Sequence, residues 1–591
     1  MTTHILVAVA WTYANGRLHL GHAAGSLIPA DIFARYHRLQ GNQVLMVSGS
    51  DTHGTPITVA ADQEGISPRA LFERYHQGFL ESQLALGISF DLFTHTDTEN
   101  HHRVSQDVFR KLYDKGYIVP RTQKMLYSET EQRFLADRYV EGTCPNCGFA
   151  EARGDQCDQC GHLHNSVELI APRSKIDGSQ PVVRKTTHLF FDLPAFSERL
   201  LAHLDAHEHH WRSNPLNFTR GFIENGLQER PFTRDLNWGI DVPVPGWEDK
   251  KLYIWAENIV GYLSATIEWA KNMGQPEAWK AWWYNPDARS YYFLGKDNIP
   301  FHTIFWPAEL LGVERLYEDD ESKRLNLPYD VPANQFLTLE KGKISTSRNW
   351  AVWLTDMLAA YDPDSIRFYL TAVLPETTDS DFTWADFVQR NNSELVATWG
   401  NLVNRVLKFA YKHWDGCVPT PGPLRPIDKE LLASVDGAFE QVGNLLDAVK
   451  LRQALNEALA TARAVNAYLE NAPWFGAVKT DKQAAATTVF TALRAIDSIK
   501  VLLAPFLPFS SEQLHHQLGY TQPLLGEQCL TTFHEAARSH NALVYDGTGA
   551  VGRWEPSRLQ SGQGLKRPFP LFKKLDKSII EREHNKLFQT T

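Results

Sequence analysis

The order of four short segments does most to limit what this chain can fold into: "HILVAVA", "YANG", "PADIFARYHRLQG" and "QVLMVSGSD". The first is a β-branched apolar run of strand length. The third has apolar residues at helical spacing that stop at Gly41, and the fourth is a second buried strand. Strand, glycine turn, helix and strand make a βαβ unit. Such a unit implies a parallel sheet whose ligands bind beyond the carboxyl ends of its strands. The segment "NGRLHLGHAAG", residues 15–25, falls at that edge and carries His19 and His22.

Two histidines three apart at a helix entrance can project from one face, near unpaired backbone N–H groups and the positive end of the helix dipole. That arrangement suits a phosphate, and Gly16 and Gly21 let backbone and ligand approach closely. Taken alone, the four letters HLGH fit a pair of surface or capping histidines equally well. A second phosphate hand is offered by "EKGKISTSR", residues 340–348, where Lys343 is a point charge among the hydroxyls of Ser345, Thr346 and Ser347. Alone, that stretch also fits a solvated surface loop.

From about residue 115 to 235 the sheet-like pattern is interrupted. The interruption contains "CPNCGFAEARGDQCDQCG", which spaces Cys144, Cys147, Cys157 and Cys160 as C-x2-C-x9-C-x2-C. Six cysteines in 591 residues do not make a disulfide framework, whereas two such knuckles bring four thiolates to one tetrahedral Zn2+. Four sulfurs close the shell, so the metal is expected to be structural; His162 and His164 are the alternative ligands nearby. The strand-helix pattern resumes with "KLYIWAENIVGYLSATIEWA" and "YYFLGKDNIPFHTIFWPAELLG", and the chain turns helical beyond about residue 386.

A formal net charge of -10 gives no global electrostatic case for nucleic acid, so any RNA contact must be local. The N-terminus lacks the basic start and cleavage site of a signal peptide and is too short in apolar residues to cross a bilayer, which predicts an intracellular, cytoplasmic protein.

HLGH at the first strand-helix turn, with KISTS some 320 residues later, resembles the two signatures of class I aminoacyl-tRNA synthetases. The surrounding "YANGRLHLGH", "SGSDTHGTPI", "FLGKDNIPFHTIFWPAELLG" and "YDPDSIRFYL" resemble the methionyl-tRNA synthetase family, over nearly the whole chain. The resemblance implies an α/β fold: a split Rossmann-type nucleotide-binding domain with a zinc-bearing insert, followed by an α-helical anticodon-binding bundle. The expected parts are 1–114 and 236–325 for the two catalytic halves, 115–235 for the insert, 326–385 for the signature-loop region, 386–537 for the bundle, and 538–591 for a connector and a tail folding back.

It also implies an activity: L-methionine is joined to ATP as methionyl-adenylate, and the methionyl group passes to the 3′ adenosine of initiator and elongator tRNA(Met). By the same resemblance Asp51 takes the amino acid's ammonium, and Tyr13, Trp255, Tyr262, His302 and Trp11 enclose its side chain. A thioether gains from contact with rings, which agrees. Gly295 and Asp297 meet the ATP ribose, Arg234 lies toward the phosphates, and His19, His22, Lys343 and Thr346 with Mg2+ serve the triphosphate. Asn401, Arg405 and Trp474 read the anticodon, stacking and hydrogen-bonding unpaired bases.

Two departures from the family pattern stand out. Trp11-Thr12 replaces the Leu-Pro of many members, and Thr346 stands where lysine is frequent, for which Lys341 or Arg348 would compensate. The insert is too small for the large editing domain of the leucine, isoleucine and valine enzymes. No room is left after the bundle for a dimerisation domain, which predicts a monomer. The rival readings are a nucleotidyltransferase, which explains neither KISTS nor the bundle, and a non-catalytic tRNA-binding paralogue.

Overall fold

The computed structural model describes residues 2–135, 139–154, 157, 159–160, 162, 164–345 and 349–589. Thr346, Ser347 and Arg348, all named above, lie outside the described residues.

The main sheet is built on β1 (His4–Val9), β2 (Gln43–Asp51), β3 (Leu92–His95) and β4 (Arg289–Gly295). β1 pairs in parallel with β2 and β4, and β2 in parallel with β3, so these four strands end on the same side. Side chains alternate along β1: Val7 and Val9 pack with Phe33 on one face, Leu6 and Ala8 with Trp11 and Tyr262 on the other. A strand covered on both faces needs a continuous apolar run, which is what residues 4–10 supply. The helix Ile28–Leu39 ends two residues before Gly41, whose φ of +82° provides the left-handed turn back into β2.

Two features of the sheet follow from residues far apart in the chain. The strand Ala333–Asn334 extends it beyond β4. At the opposite edge, β5 (Glu527–His534) and β6 (Ser539–Asp546) form a hairpin that joins β3 through Leu543 and Phe93. The boundary expected at 537/538 therefore falls inside a hairpin turn, and residues 539–546 are sheet, not connector. Composition hid this because an edge hairpin with one solvated face is polar at every second residue.

Between the halves, the strands Ile118–Ser128 and Val182–Phe191 form a long antiparallel pair, and a smaller sheet of Val140–Thr143, Ala152–Arg153 and Ile170–Ser174 carries the cysteines. Helices Asn401–His413, Pro426–Asp447, Leu451–Asn471 and Lys482–Leu503 make the bundle. Arg367 ties the bundle to the sheet. Fully buried, it meets Asp31 at 2.6 Å and donates to the carbonyls of Phe506 and Pro505, both at 2.9 Å. The last helix, Ser578–Gln589, lies against the region after β4: Tyr361 donates to Glu583 at 2.9 Å, and His584 Nε2 meets Glu340 at 2.8 Å.

Candidate active site and thiolate cluster

At the end of β1 the chain turns through HLGH into the helix Leu20–His22 and then a π-helical turn, Ala23–Leu27. The N–H of Gly21 donates to His19 Nδ1 at 3.0 Å, and the N–H of His19 donates to His22 Nδ1 at 3.1 Å. Both Nδ1 atoms are thus acceptors, so both protons sit on Nε2. The rings lie 3.9 Å apart. Burial lowers His19 to about 4 and, with the neighbouring His19 ring, drives His22 well below its usual value. The pair is therefore two neutral N–H donors at neutral pH.

The second signature is packed on the first. Leu20 N–H donates to the Val352 carbonyl at 3.1 Å and Leu354 N–H to the Leu18 carbonyl at 2.8 Å. A Cβ added at Gly21 would stand 3.6 Å from Ile344 Cδ1. Lys343 lies on the short strand Gly342–Lys343, exposed, its Nζ 6.0 Å from the Phe336 ring centre. Lys341 sits in the left-handed region and gives its N–H to Asp381 at 2.9 and 3.0 Å.

Aromatic side chains gather around Asp51. The short strand Thr12–Tyr13 pairs with the end of β2, putting Tyr13 next to Asp51. Trp255 Nε1 donates to Tyr13 Oη at 3.3 Å; the indole is 45% exposed and packs on Phe301, 4.7 Å between ring centres. Tyr262 Oη donates to His302 Nε2 at 2.6 Å, while His302 Nδ1 donates to the Asn298 carbonyl at 2.9 Å. Burial lowers His302 to about 4, so this ring too is neutral. His302 stands in a second π-helical turn, Phe301–Phe305; such turns recur at functional sites. Trp11 is buried between Tyr262 and His101, in a slot that exists because residues 49 and 261 are glycine: a Cβ at either would run into the indole.

Asp51 is 1% exposed and receives a hydrogen bond from Asn258 Nδ2. Burial, and then the charge of Glu257, raise its proton affinity well above the usual carboxylate value, against the opposing pull of His53. A carboxyl held in that condition gains most from a cation brought to it. Asn258, Glu257 and His53 were not singled out from sequence. Asn258 was within reach, because Trp255, Asn258 and Tyr262 fall at i, i+3 and i+7.

Gly295 ends β4 and Asp297 is exposed just beyond it. Arg234 stacks on Tyr253, 4.1 Å from the ring centre, and Tyr253 in turn faces Trp255 at 5.2 Å. Arg234 thus flanks the aromatic cluster.

The ligand atoms of Cys144, Cys147, Cys157 and Cys160 lie within 4.8 Å of one another, with Sγ separations of 3.9 Å (144 to 160) and 3.6 Å (147 to 157). A tetrahedron of ~2.3 Å metal-sulfur bonds has edges of ~3.8 Å, so the cluster fits one ion. Gly148, with φ +76°, allows the first knuckle to turn. His162 takes part through its carbonyl, which accepts from Cys157 N–H at 3.0 Å, and His164 Nε2 bonds the Arg153 carbonyl at 2.7 Å.

On the bundle, Asn401 and Arg405 are exposed on one helix. The structure differs from expectation at Trp474. Its ring is only 8% exposed, its Nε1 donates to the Leu469 carbonyl at 3.0 Å, and Arg405 lies over it at 5.5 Å. The chain turns at Pro473 after the helix Leu451–Asn471, and the indole N–H is used to satisfy a carbonyl at that helix end. The exposed ring at this corner is Phe475, 74% accessible.

Comparison with known proteins matches residues 5–407 to the tRNA synthetases class I (M), and residues 418–546 to the anticodon binding domain of methionyl tRNA ligase. The methionine–tRNA ligase of Thermomicrobium roseum is 57% identical over 590 residues, covering 99% of both chains. That of Chloroflexus aggregans is 52% identical over 595 residues, covering 99% of this chain and 98% of its own. A solved structure of Mycobacterium tuberculosis methionyl-tRNA synthetase in complex with methionyl-adenylate has a TM-score of 0.74 and 25% identity, over 97% of this chain and 100% of that one.

Proposed function

The chain belongs to the methionyl-tRNA synthetase family of class I tRNA synthetases, and on that premise we propose how its residues share the work of a methionine–tRNA ligase. The reaction joins L-methionine to ATP, giving methionyl-adenylate and pyrophosphate, and then transfers methionyl to the 3′ adenosine of tRNA(Met).

Asp51 receives the methionine ammonium. Tyr13, Trp255, Tyr262 and His302 enclose the thioether, with Trp11 behind Tyr262; the Tyr262–His302 bond holds both rings at one orientation. Gly295 and Asp297 meet the ribose. The methionine carboxylate attacks the α-phosphorus while the Nε2–H groups of His19 and His22 and the ammonium of Lys343 stabilise charge moving onto pyrophosphate. Thr346 belongs to the same loop by sequence, and Arg234 borders the pocket on its aromatic side. Mg2+ arrives with ATP as its counter-ion. No covalent enzyme intermediate is required, so catalysis is positioning plus electrostatics. The observation that carries this reading is the pairing of Leu20 with Val352 and Leu354 with Leu18, which sets the two signatures, 320 residues apart, on one surface.

The four cysteines hold a structural metal, read as Zn2+ from the all-thiolate shell; it takes no part in the reaction. Asn401 and Arg405 contact the anticodon, with Trp474 as the platform beneath Arg405. Among the described residues no helix is long and apolar enough to cross a membrane. One chain carries every group named above, so we read the enzyme as a monomer, in the cytoplasm, charging both initiator and elongator tRNA(Met). A solution mass measurement tests the first, and aminoacylation of the two purified tRNAs the last.

The central test is exchange of labelled pyrophosphate into ATP with each amino acid in turn. Exchange dependent on methionine is expected. Exchange with a different amino acid, or with none, would overturn the reading.

A further inference from the structure

Beyond Asp51 the buried charges continue outward. His53 N–H reaches Asp51 Oδ1 at 3.5 Å, and His53 Nδ1 pairs with Glu257 Oε1 at 3.0 Å. Glu257 Oε2 pairs with His101 Nε2 at 2.8 Å, and the next residue, Asn258, donates to Asp51. On its other side, His53 Nε2 is 3.7 Å from Asp97 Oδ1. Asp51, His53, Asp97 and Glu257 are each no more than 2% exposed.

Asp97 is held by two guanidinium groups: Arg69 at 2.7 Å and Arg538 at 2.8 Å. Arg538 comes from the turn of the β5–β6 hairpin, which lies in the segment matched to the anticodon binding domain. The same turn is pinned separately by Glu535, whose carboxylate accepts the N–H groups of Glu99 (2.9 Å) and Asn100 (3.1 Å) at the start of the helix Glu99–Asp114.

His53, Asp97 and His102 are close enough to bind a metal. Two arginines on Asp97 argue against one, since a divalent ion would meet both positive charges. The charges instead offset one another within the chain: Glu257 and Asp97 face His53, Arg69 and Arg538, and Asp51 joins them when it ionises to hold the ammonium. Burial opposes the charge on His53, yet the carboxylates of Glu257 and Asp97 hold it up at about 9; burial also opposes the charge on Glu257, which His53 and His101 bring down to about 2.

We propose that the C-terminal hairpin closes the outer end of this chain, making Arg538 and Asp97 positioning residues for methionine. The proposal rests on the reading that Asp51 takes the ammonium. Without Arg538, Asp97 draws the His53 cation outward, Glu257 is left under-compensated, and Asp51 meets more repulsion when it must be ionised to hold the ammonium. The hairpin gives the anticodon-binding segment a direct connection to the amino-acid pocket.

The test is pyrophosphate exchange by the full-length enzyme, with KM for methionine and for ATP measured separately, alongside thermal melting. Arg538→Met is expected to raise KM for methionine about tenfold with KM for ATP unchanged, and Arg538→Lys to recover most of that loss. Glu535→Ala, which removes the Glu535 tether and leaves Arg538 in place, should lower the melting temperature and leave KM for methionine unchanged. If Arg538→Met misfolds, Arg538→Gln, which removes the same charge, is read in the same way. An unaltered KM for methionine in Arg538→Met, or an equal rise in Glu535→Ala, overturns the proposal. Asp51→Asn is run in parallel. If it raises KM for methionine while Arg538→Met does not, the charge chain alone fails; if it has no effect, the assignment of Asp51 fails and the proposal with it.

Discussion

The main-chain N–H of His19 donates to Nδ1 of His22 at 3.1 Å, so a single backbone group fixes the tautomer of the second signature histidine. Gly21 does the same for His19. Two rings 3.9 Å apart could not both be cations without strong repulsion; held neutral, they offer two aligned N–H donors. In the role proposed for them, they would follow charge as it develops on a departing pyrophosphate without first losing or gaining a proton.

Replacing either His19 or His22 by alanine should slow adenylate formation about 10²–10³-fold, the usual cost of removing a preorganised donor. Pre-steady-state adenylate formation measures it. Because His19 titrates at about 4, the wild-type rate should show no step near pH 6.5 that vanishes in His19→Ala; such a step would refute the neutral pair. Stability behaves differently. Below about pH 6.5 the unfolded chain takes up a proton at His19 that the native chain refuses until about 4, so native stability falls across that window.

Cys157→Ser should remove the metal and destabilise the insert by roughly 3 kcal/mol or more, because a structural metal's binding energy is folding energy. Metal content by mass spectrometry and melting of the same sample check it. Unchanged stoichiometry would rule out a four-thiolate site.

Glu309 is 1% exposed in the helix Trp306–Val313, and neither carboxyl oxygen has a hydrogen-bond partner. Burial raises its proton affinity well above the usual value, so it is neutral in the fold. Above about pH 4.5 the unfolded chain releases this proton and the native chain keeps it, so the residue costs more stability as pH rises. Glu309→Leu should therefore stabilise by about 1–3 kcal/mol at pH 8 and by less at pH 5. Denaturant titrations at the two pH values decide; a larger gain at pH 5 would contradict the neutral carboxyl.

On the bundle, Arg405→Ala should weaken tRNA(Met) binding while leaving pyrophosphate exchange intact, because the two sites share no residue. Trp474→Ala should weaken it as well, and in addition lower stability by about 3 kcal/mol, since the ring is packed against Phe409 and beneath Arg405. A Trp474→Ala protein as stable as wild type would mean the ring is not part of the core.

Much of the site was legible in residue order. A strand, a glycine-bearing turn and a helix put HLGH at the carboxyl edge of a parallel sheet whatever follows. The cysteine spacing carried its own geometry, because two short knuckles bring four sulfurs together without help from distant chain. Less legible were positions whose role depends on what lies across from them. Trp474 reads as a base-stacking ring until the carbonyl of Leu469 and the guanidinium of Arg405 are seen to occupy it. Residues 539–546 read as a connector because only the edge of β3 turns them into sheet.

The sequence by itself determined the βαβ core, the two signature segments and the four-cysteine cluster, since each is set by spacing along a few tens of residues. Tertiary structure alone decided that Val352 and Leu354 lie on the HLGH turn, that Glu257 meets His53 beside Asp51, and that Arg538 reaches Asp97. These pairings span from about 200 to more than 400 residues. Their energies come from burial and from charges brought within 4 Å in a low-dielectric interior, and neither quantity exists until the chain has closed on itself.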